Sequence, residues 1–427
     1  MAPSSTESQS SPNAGLLIPK WINEDYFRHI VEEEYPDLVG IKRFTPIAAT
    51  APGENYTSVM VRVNVDVELK DGSTQQASYI LKTMLESAAS AQFVKAMGLF
   101  PKEKQMYEVL IPAFEKFYRA AGEELKLAPN CLHVDESPER ITLIMEDLRR
   151  KNFSNVDRLK GFDLPHMRAV LRKLAELHAA SVVYYELNGP YDPHFNLGMI
   201  NETNRKMFEA IANARQSLYL QAIHQWGLDD PEYFIGKIIK PTDASDEAIR
   251  LSQVDPNEFN VLNHGDCWSN NIMFRHKENG DIDQTLFVDL QISKWGSPAQ
   301  DLWYLITTSA ALDIKVKEFD HFIKIYHERL VECLKLLQYS KKLPALKEIH
   351  SLMIKYSYWG PFTANGVMVF TLLPTDKDAN IESAMQLGPE GDALRLKSLL
   401  NPYYSKAMAI LLPFFDNKGA LDIDKKP

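Results

Sequence analysis

The chain has 427 residues, with 47 Lys and Arg against 57 Asp and Glu, a formal charge of −10 at pH 7. That acidity excludes a general nucleic-acid binder, which needs a basic footprint, and no apolar run approaches the roughly 18–20 residues that cross a bilayer. Cys131, Cys267 and Cys333 lie far apart and form neither a disulfide ladder nor a zinc pair, which fits a reducing, cytoplasmic setting.

A length of this order implies two or three domains or lobes. Residues 1–18 are Ser- and Pro-rich, lack the basic start and apolar stretch of a signal peptide, and read as a disordered tail. The first ordered element is expected as a helix near Asn23 to Glu34. From Val59 to Leu69 the run VMVRVNVDVEL alternates apolar and polar residues, the period of a half-buried strand. Asp71-Gly72 is a turn signal, and a partner strand from about Gln75 to Thr83 carries Lys82 near its end. In the helical stretch that follows, Phe100, Tyr107, Leu110, Ile111 and Phe114 share a face, and Pro112 is expected to kink or end it. Another strand is expected at Arg140 to Met145.

After about residue 150 the pattern turns helical. Met167, Val170, Leu171, Leu174, Leu177, His178 and Ser181 fall on one face of a helix from Leu164. Ala210 to Ile223 and Phe319 to Leu337 also read as helices. The order predicts an α+β fold of two lobes. A β-rich N-lobe with one important helix spans 19–148, and a larger α-helical C-lobe spans 149–415. Residues 416–427 read as a second tail.

Two polar segments interrupt the helices. In VLNHGDCWSNNIMF, Asp266 stands five residues before Asn271, and apolar residues flank both ends. In LFVDLQISKWGSPAQDLWYL, a short apolar run delivers Asp289 at its end. A carboxylate just past a buried strand is well placed at a cleft. His178 reads as a satisfied core histidine, His264 as a framework residue, and Asp301 as a brace of the loop. Trp268, Trp295 and Cys267 read as packing residues. Metalloprotease, α/β-hydrolase and Walker-A motifs are not found.

The spacing resembles the catalytic core of the protein-kinase-like phosphotransferases, in its aminoglycoside and choline kinase branch. Protein kinases carry H-R-D-L-x-x-x-N and then D-F-G. Here His264-Gly265-Asp266 through Asn271 keeps the Asp-to-Asn spacing, and Val288-Asp289-Leu290-Gln291 stands in the metal-aspartate position. HGDCWSNNIMF, VDLQISKWGSPAQDLWYL, IMEDL and the early GENYTSVMVRV together look like the insect ecdysteroid-kinase-like family over about residues 20–415.

The resemblance implies ATP and Mg²⁺ as cofactors. Asp266 would orient the substrate hydroxyl and take its proton late. Asn271 and Asp289 would be the metal ligands, and Lys82 would neutralise the α- and β-phosphates. Glu103 would be its helix partner, with Glu108 as the alternative. The loop APGENYTS, with Asn55 and Ser58, would cover the phosphates despite its single glycine, Gly53. Glu146 and Leu148 would sit at the hinge beside adenine, with ATP in the cleft between lobes. The implied acceptor is a small-molecule alcohol, a steroid such as an ecdysteroid or a detoxification substrate. A choline-, ethanolamine- or aminoglycoside-type kinase is the first alternative, and a catalytically silent ligand-binding pseudokinase is an alternative of another class. The sequence does not fix the oligomeric state.

Overall fold

The structure is a computed structural model and describes residues 18–49, 58–84, 98–137, 140–374 and 388–423. The chain divides into two compact units. The first comprises Met1–Gln92 and Asn130–Arg150, the second Phe93–Pro129 and Lys151–Pro427.

The first unit is a five-stranded antiparallel sheet in the order β1-β2-β3-β5-β4. Its strands are β1 Leu38–Ala48, β2 Ser58–Leu69, β3 Thr74–Met84, β4 Cys131–Glu136 and β5 Ile141–Glu146. The alternation in β2 is borne out. Val59, Val61, Val63, Val65 and Val67 are buried and the residues between them are not. Tyr79, Leu81 and Ile144 join this apolar face, and the helix Glu24–Glu34 covers it with Phe27, Ile30 and Val31. Asn23 caps that helix by accepting from the Tyr26 amide at 3.0 Å, which fixes its start. Gly72, at φ 80°, makes the β2–β3 turn, and the Asp71 carboxylate accepts from the Ser73 amide at 2.9 Å.

The second unit is mostly helical. The helix Leu164–Asn188 buries all seven residues read as its inner face and packs on the helix Phe319–Leu336. Asp163 caps it through the His166 amide at 3.0 Å. Short strands interrupt the helices around the two polar segments. They are β6 Phe153–Ser154, β7 Val261–Asn263, β8 Ile272–His276, β9 Ile282–Phe287 and β10 Lys294–Gly296. β6, β8 and β9 form one sheet and β7 pairs with β10. Among the described residues, no helix is long and apolar enough to cross a membrane.

Three expectations are corrected. The helical stretch after residue 98 falls in the second unit, not the first. Its apolar face explains this, because the Tyr118 hydroxyl donates to the Glu176 carbonyl at 2.7 Å and Phe114 packs edge-on to Tyr184. Pro112 does not end that stretch either. Helix Leu99–Gln105 runs into a π-turn, Met106–Leu110, and on into helix Ile111–Ala120. Pro112 follows directly on the π-turn, the wider local winding that takes a residue without an N–H inside a helix. The C-terminal stretch is folded as far as residue 423. Helix Pro402–Asn417 continues past 415, Ala420 and Leu421 are buried, and Lys237 pairs with Asp416 and, at 3.0 Å, with Asp422.

Candidate active site

The loop His264–Asn271 is held by groups buried behind it. Asp301, fully buried near the start of helix Ala299–Ser309, accepts from the His264 amide at 2.6 Å and the Gly265 amide at 2.9 Å. Its own amide donates to the Asn263 side chain at 3.3 Å, so β7 and the helix grip each other. The Asp301 carboxylate also meets His178 Nε2 at 3.2 Å, while His178 Nδ1 meets the Tyr326 hydroxyl at 2.8 Å. Burial lowers the His178 pKa below 6.5. The ring is therefore neutral, with Nε2–H donating to Asp301 and Nδ1 accepting from Tyr326.

His264 ties the two polar segments together. Its Nε2 donates to the Val288 carbonyl at 3.1 Å, and its Nδ1 accepts from the Asp266 amide at 3.3 Å. Gly265 is required twice. Its φ is +83°, and a Cβ there would lie 2.2 Å from the Ile292 carbonyl oxygen. Cys267 is fully buried and burial raises its thiol pKa, so it is no nucleophile. Trp295 is also buried and stacks on Tyr185 with centroids 4.4 Å apart.

Asp266 itself is only partly covered. The Tyr304 hydroxyl donates to its Oδ1, and the Asn271 amide nitrogen donates to its Oδ2 at 2.9 Å and to its carbonyl at 3.0 Å. Its depth in the protein raises its pKa above the usual carboxylate range, and the Asp289 charge adds to the rise. The hydrogen bonds from Tyr304 and Asn271 oppose it. The Val288 amide donates to the Asn271 carbonyl at 2.9 Å, which fixes the approach to Asp289. Asp289 has φ +62°, uncommon for a non-glycine residue and a source of local strain of about 1–3 kcal/mol. Leu290, fully buried, anchors the next position.

The structure thus brings Asp266, Asn271 and Asp289 together. Asn271 spends its amide nitrogen on Asp266, and among the described residues nothing donates to its Oδ1. That oxygen and the Asp289 carboxylate are hard donors of the kind Mg²⁺ takes. Among the described residues no three His, Cys, Asp or Glu side chains gather as a metal site. One carboxylate and one amide oxygen would suffice where phosphates and waters complete the shell.

The other candidates lie as follows. Lys82 is 2% exposed in β3, the middle strand, between Met60 of β2 and Leu143 of β5. It alternates with Leu81, so it is on the sheet face opposite the valine core. Ser58 opens β2 and is buried, whereas Asn55 and the rest of the loop 51–57 lie outside the described residues. Glu146 ends β5 and accepts from the Asn130 amide at 2.7 Å, and Leu148 is buried in a short 3₁₀ turn. These four belong to the first unit and Glu103 to the second. Glu103 is fully buried, while Glu108 is 39% exposed beside Lys104, which favours Glu103 as an inward-facing carboxylate.

Two site residues were not read from the sequence. Tyr304 stands three positions after Asp301, hence on the same helix face. Asp301 was read as the brace of this loop, so that spacing was an available signal. Asn155 donates from its side chain to the Asn270 carbonyl at 2.9 Å and the Ile272 carbonyl at 3.0 Å, and no local pattern announces it.

The model of the ecdysteroid kinase-like family matches residues 52–339, well over half of the chain and both polar segments. The chain belongs to the ecdysteroid kinase-like family. Among curated proteins no relative is detected. Among solved structures, this ecdysteroid kinase-like chain is similar to a protein of Haemophilus somnus 129PT described as a candidate fructosamine-3-kinase. The identity is 13%, over 77% of this chain and 95% of that one, with a TM-score of 0.34. That likeness is too slight to carry an activity across.

Proposed function

We propose that the chain is an ATP- and Mg²⁺-dependent small-molecule kinase, acting on an alcohol such as an ecdysteroid or a related lipophilic compound. One observation carries this reading. A carboxylate of raised proton affinity, Asp266, is held by Tyr304 and Asn271 beside a second carboxylate, Asp289, on a loop braced by Asp301. Family membership supports it independently.

In the step itself the acceptor oxygen bonds to the γ-phosphorus, the bond from that phosphorus to the β–γ bridging oxygen breaks, and ADP departs. The hydroxyl proton passes to Asp266. The γ-phosphoryl transition state leaves little covalent work for the protein, so holding the hydroxyl in line is the main task. Tyr304 and Asn271 each occupy one Asp266 oxygen and fix the plane of the carboxylate, leaving lone pairs for the acceptor. Bound Mg²⁺, on Asn271 and Asp289, would supply charge neutralisation for the phosphates. Lys82 would add a fixed cation, and Ser58 and Asn55 would cover the phosphates. The backbone at Glu146 and Leu148 would meet adenine.

The test is nucleotide affinity with and without Mg²⁺ for wild type, Asp266→Asn and Asp289→Asn. Only Asp289→Asn is expected to lose the Mg²⁺-dependent part. Equal Mg²⁺-dependent affinity in all three proteins would refute the metal role.

A further inference from the structure

In the second unit, two histidines far apart in the chain meet ring to ring. His166 stands in the first turn of helix Leu164–Asn188, and His276 ends β8. Their Nε2 atoms lie 3.2 Å apart. On its other side His166 is tied to Asp163, whose carboxylate lies 2.6 Å from Nδ1. A carboxylate only accepts, so in the neutral ring Nδ1 carries the proton and Nε2 presents its lone pair to His276. Neighbouring rings hold that orientation. Phe162 stacks on His166 with centroids 6.2 Å apart, and Phe274 meets it edge to face at 4.8 Å. Both phenylalanines are fully buried, while His276 is exposed.

Two imidazoles on one metal ion have this geometry. Zinc bonds histidine nitrogen at about 2.0–2.1 Å, so two such nitrogens on a tetrahedral ion stand about 3.3 Å apart. A ligating histidine typically gives its other N–H to a carboxylate, as His166 does to Asp163. The approach is open, because Asp163 and His166 line a groove of about 980 Å³. The alternative occupant is a proton, in an N–H···N bond between the rings. The carboxylate behind His166 and the open groove favour the metal. Among the described residues no third His, Cys, Asp or Glu joins the pair, which leaves two positions of a tetrahedral ion to water. Imidazole nitrogens suit zinc, copper and nickel, whereas Mg²⁺ takes oxygens. The pair is also separate from Asn271, since five residues of extended chain put about 16 Å between it and His276.

We propose that His166 and His276 bind a divalent transition-metal ion of the zinc type through their Nε2 atoms, with Asp163 orienting His166. The proposal does not depend on the kinase reading. Among the described residues no group bonds His276 Nδ1, so moving the His276 proton there, as ligation through Nε2 requires, costs little. The ion pins the start of helix Leu164–Asn188 to the end of β8. Because β8 begins directly after Asn271, the ion braces the strand that follows the loop His264–Asn271.

The test is calorimetry of the tag-free full chain, stripped with a chelator and titrated with zinc chloride without nucleotide. Wild type is expected to bind one zinc ion that depends on His276, and its melting temperature should rise with zinc, because the ion binds the folded state. His276→Gln removes an exposed ligand and should fold as wild type does. It is expected to weaken this zinc by more than about 100-fold, beyond the loss of an outer partner, and to abolish the rise. Asp163→Asn keeps a good helix cap, so it should melt like wild type without metal. It should bind zinc about 10- to 100-fold more weakly, the usual cost of losing the carboxylate behind a ligating histidine. No zinc binding, or affinity and melting unchanged in His276→Gln, leaves only a hydrogen-bonded pair and overturns the proposal. Unchanged affinity in Asp163→Asn overturns the part given to Asp163.

Discussion

The β2–β3 hairpin and the loop His264–Asn271 are both rigid, but by opposite means. The hairpin is held by a ladder of backbone bonds and a row of valines, each one replaceable by a similar apolar residue. The loop is held by single polar contacts. Asp301 reaches two amides, His264 bridges to Val288, and Asn155 reaches two carbonyls. Burial stabilises the first region. In the second, desolvation and strain are retained at Asp266 and Asp289, as at functional sites that keep perturbed groups.

The largest effect should come from the loop. Asp266→Asn should lower turnover by about 10²–10⁴-fold, the range for a positioned acid–base group, while the melting temperature holds or rises. A variant that turns over like wild type would break the contrast. Next, Leu81→Ala in the hairpin core should cost about 2–5 kcal/mol in urea unfolding, with residual activity tracking the folded fraction. If it instead lowered turnover in fully folded protein, the sheet would be more than a scaffold.

Tyr304→Phe should sharpen the picture. The Tyr304 hydrogen bond lowers the Asp266 pKa against the opposing pull of burial. Its loss moves that pKa further up, and Asp266 must be ionised to work. The acid limb of kcat/KM should therefore shift to higher pH, and an unmoved limb would remove Tyr304 from the site. A last effect is one of pH, at Lys294 in β10, buried and with its pKa pulled down to about 7 by burial. The unfolded state keeps that proton up to about pH 10.4, so wild-type stability should rise between about pH 7 and 10. Lys294→Met should be the more stable protein at pH 7 and should flatten the rise. Parallel melting curves would contradict it.

What the sequence revealed follows the same division. The valine alternation and the Leu164 helix face were legible because burial there repeats with the period of the element. The edge strands β1 and β4 were not read. β1 contains Gly40 and Pro46 and is bulged at two places, which breaks the period, and β4 buries none of its residues. At the site, Asp266, Asn271 and Asp289 were legible because their chemistry fixes their spacing. Asn155 was not, because its significance depends on what lies far away in sequence.

The central claim is phosphoryl transfer to a small alcohol. Its most direct test is to incubate the full chain with ATP, Mg²⁺ and fractionated steroid or tissue extract. Mass spectrometry then searches for metabolites that gain one phosphoryl group, with Asp266→Asn as the control. At least one hydroxylated metabolite should gain the group with wild type and not with the variant. If none does in any fraction and ATP is not consumed, or if the variant performs as well, the claim is contradicted.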